Sequence, residues 1–96
     1  MSIKIIIKRK VPKDMEKKLL PLIKELRFLT TKQPGYISGE TMNRADKPGQ
    51  SLVISTWQSV EDWERWANSP QRKAIQDEID ALLGQKTEYE VYGYTH

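Results

Sequence analysis

The stretch WQSVEDWERWANSPQR, Trp57 to Arg72, holds all three tryptophans of the chain. Trp63 and Trp66 stand three residues apart, a spacing that puts both on one face of a helix. Such rings either pack a core or wall a pocket, and in a pocket they suit a flat aromatic ligand. Arg72 and Lys73, one turn into a following helix, are cations able to face a phenolate, although surface charge is the commoner fate of these residues. Tyr36 follows a Pro-Gly turn and is the tyrosine placed to point a hydroxyl into the same space. Tyr89, Tyr92 and Tyr94 read as sheet and interface residues. The candidate substrate-binding set is therefore Trp66, Tyr36, Arg72 and Trp57, with Trp63 packing beneath.

Other chemistries are poorly provided for. The chain has no cysteine, so disulfides and thiolate redox or metal chemistry are excluded. Its single histidine is His96, so a metal site would rest on carboxylates and a histidine-based triad has no internal member. Glu61, Asp62 and Glu64 read as helix-start charges, and no two carboxylates are spaced for acid/base work. No dinucleotide motif is present. No catalytic residue, metal or bound cofactor is assigned.

These residues need elements to hold them. IKIIIKR, Ile3 to Arg9, alternates as a strand with Ile3, Ile5 and Ile7 on its dry face and Lys4, Ile6 and Lys8 on the other. Leu19, Leu22, Ile23, Leu26 and Leu29 recur at helical steps. Pro21 interrupts that pattern and implies either a kink or a helix that starts near Leu20. Pro34-Gly35 ends the helix, a strand runs from about Tyr36 to Met42, and a polar Pro-Gly loop leads to SLVISTW, the third strand. Ser59 opens a capping-box pattern for the tryptophan helix. Ser69-Pro70 starts a further helix, with Ile75, Ile79, Leu82 and Leu83 as its stripe and Gly84 as its cap. TEYEVYGY supplies the last strand.

The order β-α-β-β-α-β in one domain, residues 1–96, predicts an α+β, ferredoxin-like fold with an antiparallel four-stranded sheet. Its first and third strands should be central, and they are the two most apolar. Leu52, Val53 and Ile54 are apolar in succession, so both faces of the third strand should be buried. One core covers one face. The other needs cover from outside the monomer.

PGYISGETM, LVISTWQSVEDWERWANSPQRKAI and an aromatic last strand together resemble the antibiotic biosynthesis monooxygenase (ABM) domain family over nearly the whole chain. The resemblance implies a homodimer whose sheets pack face to face as a dimeric α/β barrel with helices outside. Some members of that family oxidise polyphenols or quinols with molecular oxygen and no bound cofactor. Another branch degrades haem, using a helix histidine, a tryptophan and a first-strand asparagine. Trp66 stands where that branch has its tryptophan, but Gln76 occupies the histidine position, and Ile7 and Lys8 the region of the asparagine. Gln is a poor iron ligand beside imidazole.

Two functions of different class follow. One is a cofactor-independent monooxygenase acting on a small phenolic or quinol substrate, which once deprotonated is electron-rich enough to reduce oxygen itself. The other is a non-catalytic dimer that binds a small ligand. The net charge is +3, with +5 in the first twenty residues (seven Lys/Arg against two acids). That asymmetry raises nucleic-acid binding, but RNA-recognition domains of this topology need exposed aromatics on the central strands, and IKIIIKR has none. The N-terminus is too short and too soon charged for a signal peptide, and no apolar run spans a membrane. The expectation is a soluble cytoplasmic homodimer with no nucleic-acid or membrane partner.

Overall fold

The computed structural model describes residues 2–95; Met1 and His96 lie outside the described residues. Four strands, β1 (Ile3–Lys10), β2 (Tyr36–Asn43), β3 (Gln50–Trp57) and β4 (Glu88–Gly93), form one sheet in the order β2-β3-β1-β4. Every neighbouring pair is antiparallel. The two most apolar strands thus lie at the centre, paired through Ile6↔Ile54 and Ile7↔Val53. Helices α1 (Glu16–Thr31), α2 (Val60–Ala67) and α3 (Pro70–Leu83) cover one face of this sheet. The fold is α+β of the ferredoxin-like plan, with the second helical segment split in two.

Alternation along β1 decides which side is dry. Ile3, Ile5 and Ile7 are buried against the helices, with Leu19 and Leu26 from α1 and Ile75, Ile79 and Leu83 from α3. Trp57 and Ile79 have no exposed surface and anchor the layer between sheet and helices. Arg9 continues the dry face by the same period of two and is also buried.

Pro21 does not start the first helix. A short 3-10 turn, Lys13–Met15, leads into α1, which runs through Pro21 without a break. Five residues precede the proline within the helix, so the donor it lacks would have bonded to the carbonyl of Lys17.

The break between α2 and α3 is built by caps. Ser59 Oγ accepts from the Asp62 N–H at 3.1 Å and donates to Asp62 Oδ2 at 2.8 Å. Ser69 Oγ accepts from the Arg72 N–H at 3.2 Å, with Pro70 at the first helical position. Gly84 closes α3 at φ +71°, in the left-handed region where glycine pays no Cβ penalty. These caps set the angular positions of Trp63, Trp66 and Arg72.

Among the described residues, no helix lies on the other sheet face. Ile6, Leu52 and Ile54 lie there half-buried, with Met42 beside them and Glu40 and Glu90 at the flanks. Lys4 reaches Thr56 Oγ1 at 2.8 Å and Lys8 pairs with Glu90 at 3.1 Å. Among the described residues, no helix is long and apolar enough to cross a membrane.

Candidate functional site

A cavity of about 90 Å³ lies between the sheet and the helices. Its walls include Trp63 and Trp66 from α2, Tyr36 from β2, and Ile7 and Val53 from the sheet. Three arginines, Arg9, Arg27 and Arg72, complete it, and among the described residues no Asp, Glu or His lines it. The surround is aromatic and cationic.

Trp66 is 2% exposed and belongs both to the core and to the cavity wall. Its indole Nε1–H donates to Thr30 Oγ1 at 3.1 Å, and Thr30 in turn donates to the Leu26 carbonyl at 2.7 Å. The indole is therefore held by α1 while one surface faces the cavity. Tyr36 stands at the start of β2, where a register shift between Tyr36 and Ser38 re-aims the chain. Its hydroxyl lies over Gly39, where a Cβ would come within 2.7 Å of it. A side chain at residue 39 would push the tyrosine out of the cavity.

Of the four residues singled out from sequence, Trp66, Tyr36 and Arg72 line this cavity; Trp57 does not. Trp57 is enclosed one layer behind, edge-on to Tyr36 (centroids 5.5 Å apart) and to Trp63 (5.7 Å). Its Nε1–H donates to Ser55 Oγ at 3.1 Å, so both its ring and its polar atom are used internally. Lys73 is exposed.

Arg72 is 4% exposed. Its guanidinium sits 5.1 Å from the Trp63 ring and 5.2 Å from the Tyr89 ring, and donates to the Tyr89 hydroxyl at 3.0 Å. Arg9, absent from the sequence-derived set, lines the same cavity and donates from Nη2 to Gln76 Oε1 at 3.2 Å. Burial lowers the Arg9 guanidinium below its ordinary range; Tyr89 and Asp80 oppose that, and the like charges of Arg72 and Arg27 reinforce it. Its Nε is closed to solvent and has no hydrogen-bond partner among the described residues. One signal in the sequence marks it: Arg9 has the parity of Ile3, Ile5 and Ile7, the dry face.

Gln76 is fully engaged. It accepts from Arg9 and donates to Asp80 Oδ1 at 2.8 Å and Thr87 Oγ1 at 2.7 Å. A side-chain amide so tied is structural.

The mouth lies between α1 and β2, where the lining residues Arg27, Gly39 and Thr41 are exposed. A hydrogen bond from Arg27 Nη2 to Thr41 Oγ1, 3.1 Å, spans it. A larger groove of about 510 Å³ lies at the sheet end near Lys10, Arg44 and Lys86, with Arg9 in the wall common to both. That groove has no aromatic lining, and Arg44 there is already paired with Asp46 at 2.7 Å. The smaller cavity has the better chemistry. Among the described residues, no group of three or more His, Asp or Glu side chains is placed to hold a metal ion.

The family described as antibiotic biosynthesis monooxygenase matches residues 2–78. No curated protein sequence matches the chain. A conserved protein from Methanosarcina mazei Go1 superimposes with a TM-score of 0.89 at 20% identity, over 99% of this chain and 94% of that one. SnoaB from Streptomyces nogalater, described as a cofactor-independent oxygenase, gives 0.84 at 14% identity over 99% and 94%. Rv0793 from Mycobacterium tuberculosis gives 0.85 at 17% over 100% and 97%. At such identities the superpositions show a shared fold.

Proposed function

Because this chain belongs to the antibiotic biosynthesis monooxygenase family, we propose that its helix-side cavity oxidises a small phenol or quinol with molecular oxygen, without flavin, metal or haem. The observation that carries this reading is the pairing of aromatic walls with buried cations in one cavity. A neutral phenol reacts slowly with oxygen; its phenolate is a far better electron donor. Arg72, set against the Trp63 and Tyr89 rings, favours that anion. Trp63, Trp66 and Tyr36 orient the ring and exclude water, which strengthens each charge interaction inside. The substrate itself must supply the electrons that reduce oxygen.

The working unit proposed is a homodimer formed through the open sheet face. Ile6, Leu52 and Ile54 on that face support it, because no helix among the described residues covers them. An obligate interface of this kind removes about 2,000 Å² or more from water.

A second reading, a non-catalytic ligand-binding dimer, is favoured by one observation: among the described residues no Asp, Glu or His lines the cavity to act as a base. Oxygen consumption by metal-stripped protein across a panel of hydroquinones and polyphenols decides between the two. Turnover above uncatalysed autoxidation for at least one compound supports the oxygenase. Binding without turnover for all of them supports the second reading.

A further inference from the structure

Two guanidiniums are buried in one cavity wall without an acidic partner. Arg9 is 7% and Arg72 4% exposed, and neither joins an ion pair among the described residues. A buried cation is expensive unless an anion answers it. The protein supplies mostly neutral partners instead. Arg72 has the Tyr89 hydroxyl and two ring faces. Arg9 has the Gln76 oxygen, with Asp80 reached only through the Gln76 amide, and its Nε is unpartnered.

Filling the core asks for a guanidinium at neither place, although each makes one internal hydrogen bond, to Gln76 and to Tyr89. Arg9 occupies the place where a fourth aliphatic side chain would extend Ile3, Ile5 and Ile7. Arg72 lies in the first turn of α3, where the helix dipole disfavours a cation. Both face the same space, so each raises the cost of the other's charge. An anion between them offsets all three penalties.

We propose that the cavity receives the carboxylate of an aromatic acid, its oxygens shared between Arg9 and Arg72 and its ring set among Trp63, Trp66 and Tyr36. This deepens the reading of the cavity as a substrate site and rests on it, narrowing the substrate to a phenol or quinol that also carries a carboxylic acid. Guanidinium forks match the planar, two-oxygen geometry of a carboxylate. The apolar walls suit an attached ring and give an inorganic anion nothing in place of its hydration shell. At about 90 Å³ the cavity takes an acid group, but it is smaller than the roughly 150 Å³ engineered cavity that takes up benzene. The ring must therefore part the Arg27–Thr41 bond at the mouth, where exposed Arg27 also attracts an incoming anion.

The test is titration calorimetry and thermal denaturation of the full chain with benzoate, its uncharged analogue benzamide, and inorganic phosphate, at fixed ionic strength. Benzoate should raise the Tm and bind at least about tenfold more tightly than benzamide; Arg9→Met and Arg72→Met should each weaken benzoate by about tenfold or more, the scale for removing one partner of a desolvated charge pair. No benzoate binding at millimolar concentration, equal binding of benzoate and benzamide, or phosphate competing on equal terms overturns the proposal. If a methionine variant does not fold by circular dichroism, the comparison of benzoate with benzamide on the unaltered protein decides. Benzoate binding with no oxygen uptake from any phenol removes the oxygenase reading and leaves the acid site standing. Turnover with equal kcat/KM for phenols with and without a carboxyl group overturns the acid site and leaves the oxygenase.

Discussion

The Arg9 guanidinium in β1 and the Gln76 amide in α3 meet at 3.2 Å across 67 residues of sequence. Gln76 extends the contact to Asp80 and Thr87, and Asp80 also accepts from the Thr87 backbone N–H at 3.2 Å. This buried chain of hydrogen bonds ties the first strand, the last helix and the approach to β4 together. It fixes one end of Arg9 and leaves the rest of its fork free. A polar network of this sort is rigid when complete and costly when one member is removed.

Gln76→His tests the position at which the haem-degrading branch of the family carries its ligand. Imidazole cannot replace all three of the amide's bonds, so Asp80 and Thr87 lose a donor and stability falls by about 1–3 kcal/mol. The unaltered protein should show no Soret band at one equivalent of haem and no bleaching with ascorbate. A stoichiometric haem complex in absorption spectroscopy contradicts this.

Trp66 is both a core residue and a cavity wall, and two variants test whether it has a functional share beside its structural one. Trp66→Ala removes a buried aromatic and should cost about 3–5 kcal/mol in urea denaturation. Trp66→Phe keeps a ring and gives up the hydrogen bond to Thr30, which retains its bond to Leu26. Its cost should be about 1–2 kcal/mol, so the variant stays folded for assay. A tenfold or larger fall in kcat/KM with little further loss of stability is the result expected of a cavity wall.

Gly35 and Gly84 both have positive φ, but their surroundings differ. An added Cβ at Gly35 runs into the Asp62 side chain, the partner of the Ser59 cap; at Gly84 it meets open space. Gly84→Ala should cost about 1–2 kcal/mol from backbone strain alone. Gly35→Ala should cost more, since it disturbs the α2 cap as well. Equal denaturation midpoints for the two variants would remove the steric argument.

Ile54→Glu places a charge at the middle of the open sheet face, directly beside Ile6. If two copies pair through that face, the buried unpaired carboxylate costs several kcal/mol and the species becomes monomeric. Light scattering at micromolar concentration should give a dimer mass for the parent chain and a monomer mass for the variant. A monomeric parent contradicts the proposed assembly.

Local rules made the scaffold legible. The parity of Ile3, Ile5 and Ile7 set the dry face of β1, and Ser59, Ser69, Pro70 and Gly84 marked helix ends through caps that the structure contains. The start of α1 was not legible, because Pro21 argues for a boundary that core packing of Leu19 overrides. The cavity is a harder matter. Trp57 and Trp66 have the same chemistry, yet one is sealed behind Tyr36 and Trp63 while the other borders empty space. Depth of that kind depends on how three helices settle on a sheet. Arg9 was hidden differently: Lys4, Lys8 and Lys10 beside it make a solvated basic strand the simplest reading, and only its parity says otherwise.

The strand order also bears on how the chain behaves while it is being made. β1 is synthesised first, yet one of its edges pairs with β3 and the other with β4, the last element. From its emergence until residues 88–93 follow, the nascent chain presents an aliphatic strand with an unpaired ladder, the kind of segment that recruits other chains. Lys4 interrupts the isoleucines, and Lys8 and Lys10 follow them. Charged residues at such a strand act against its pairing with other chains, so replacing these lysines with threonine should lower soluble yield more than it lowers the stability of protein already folded.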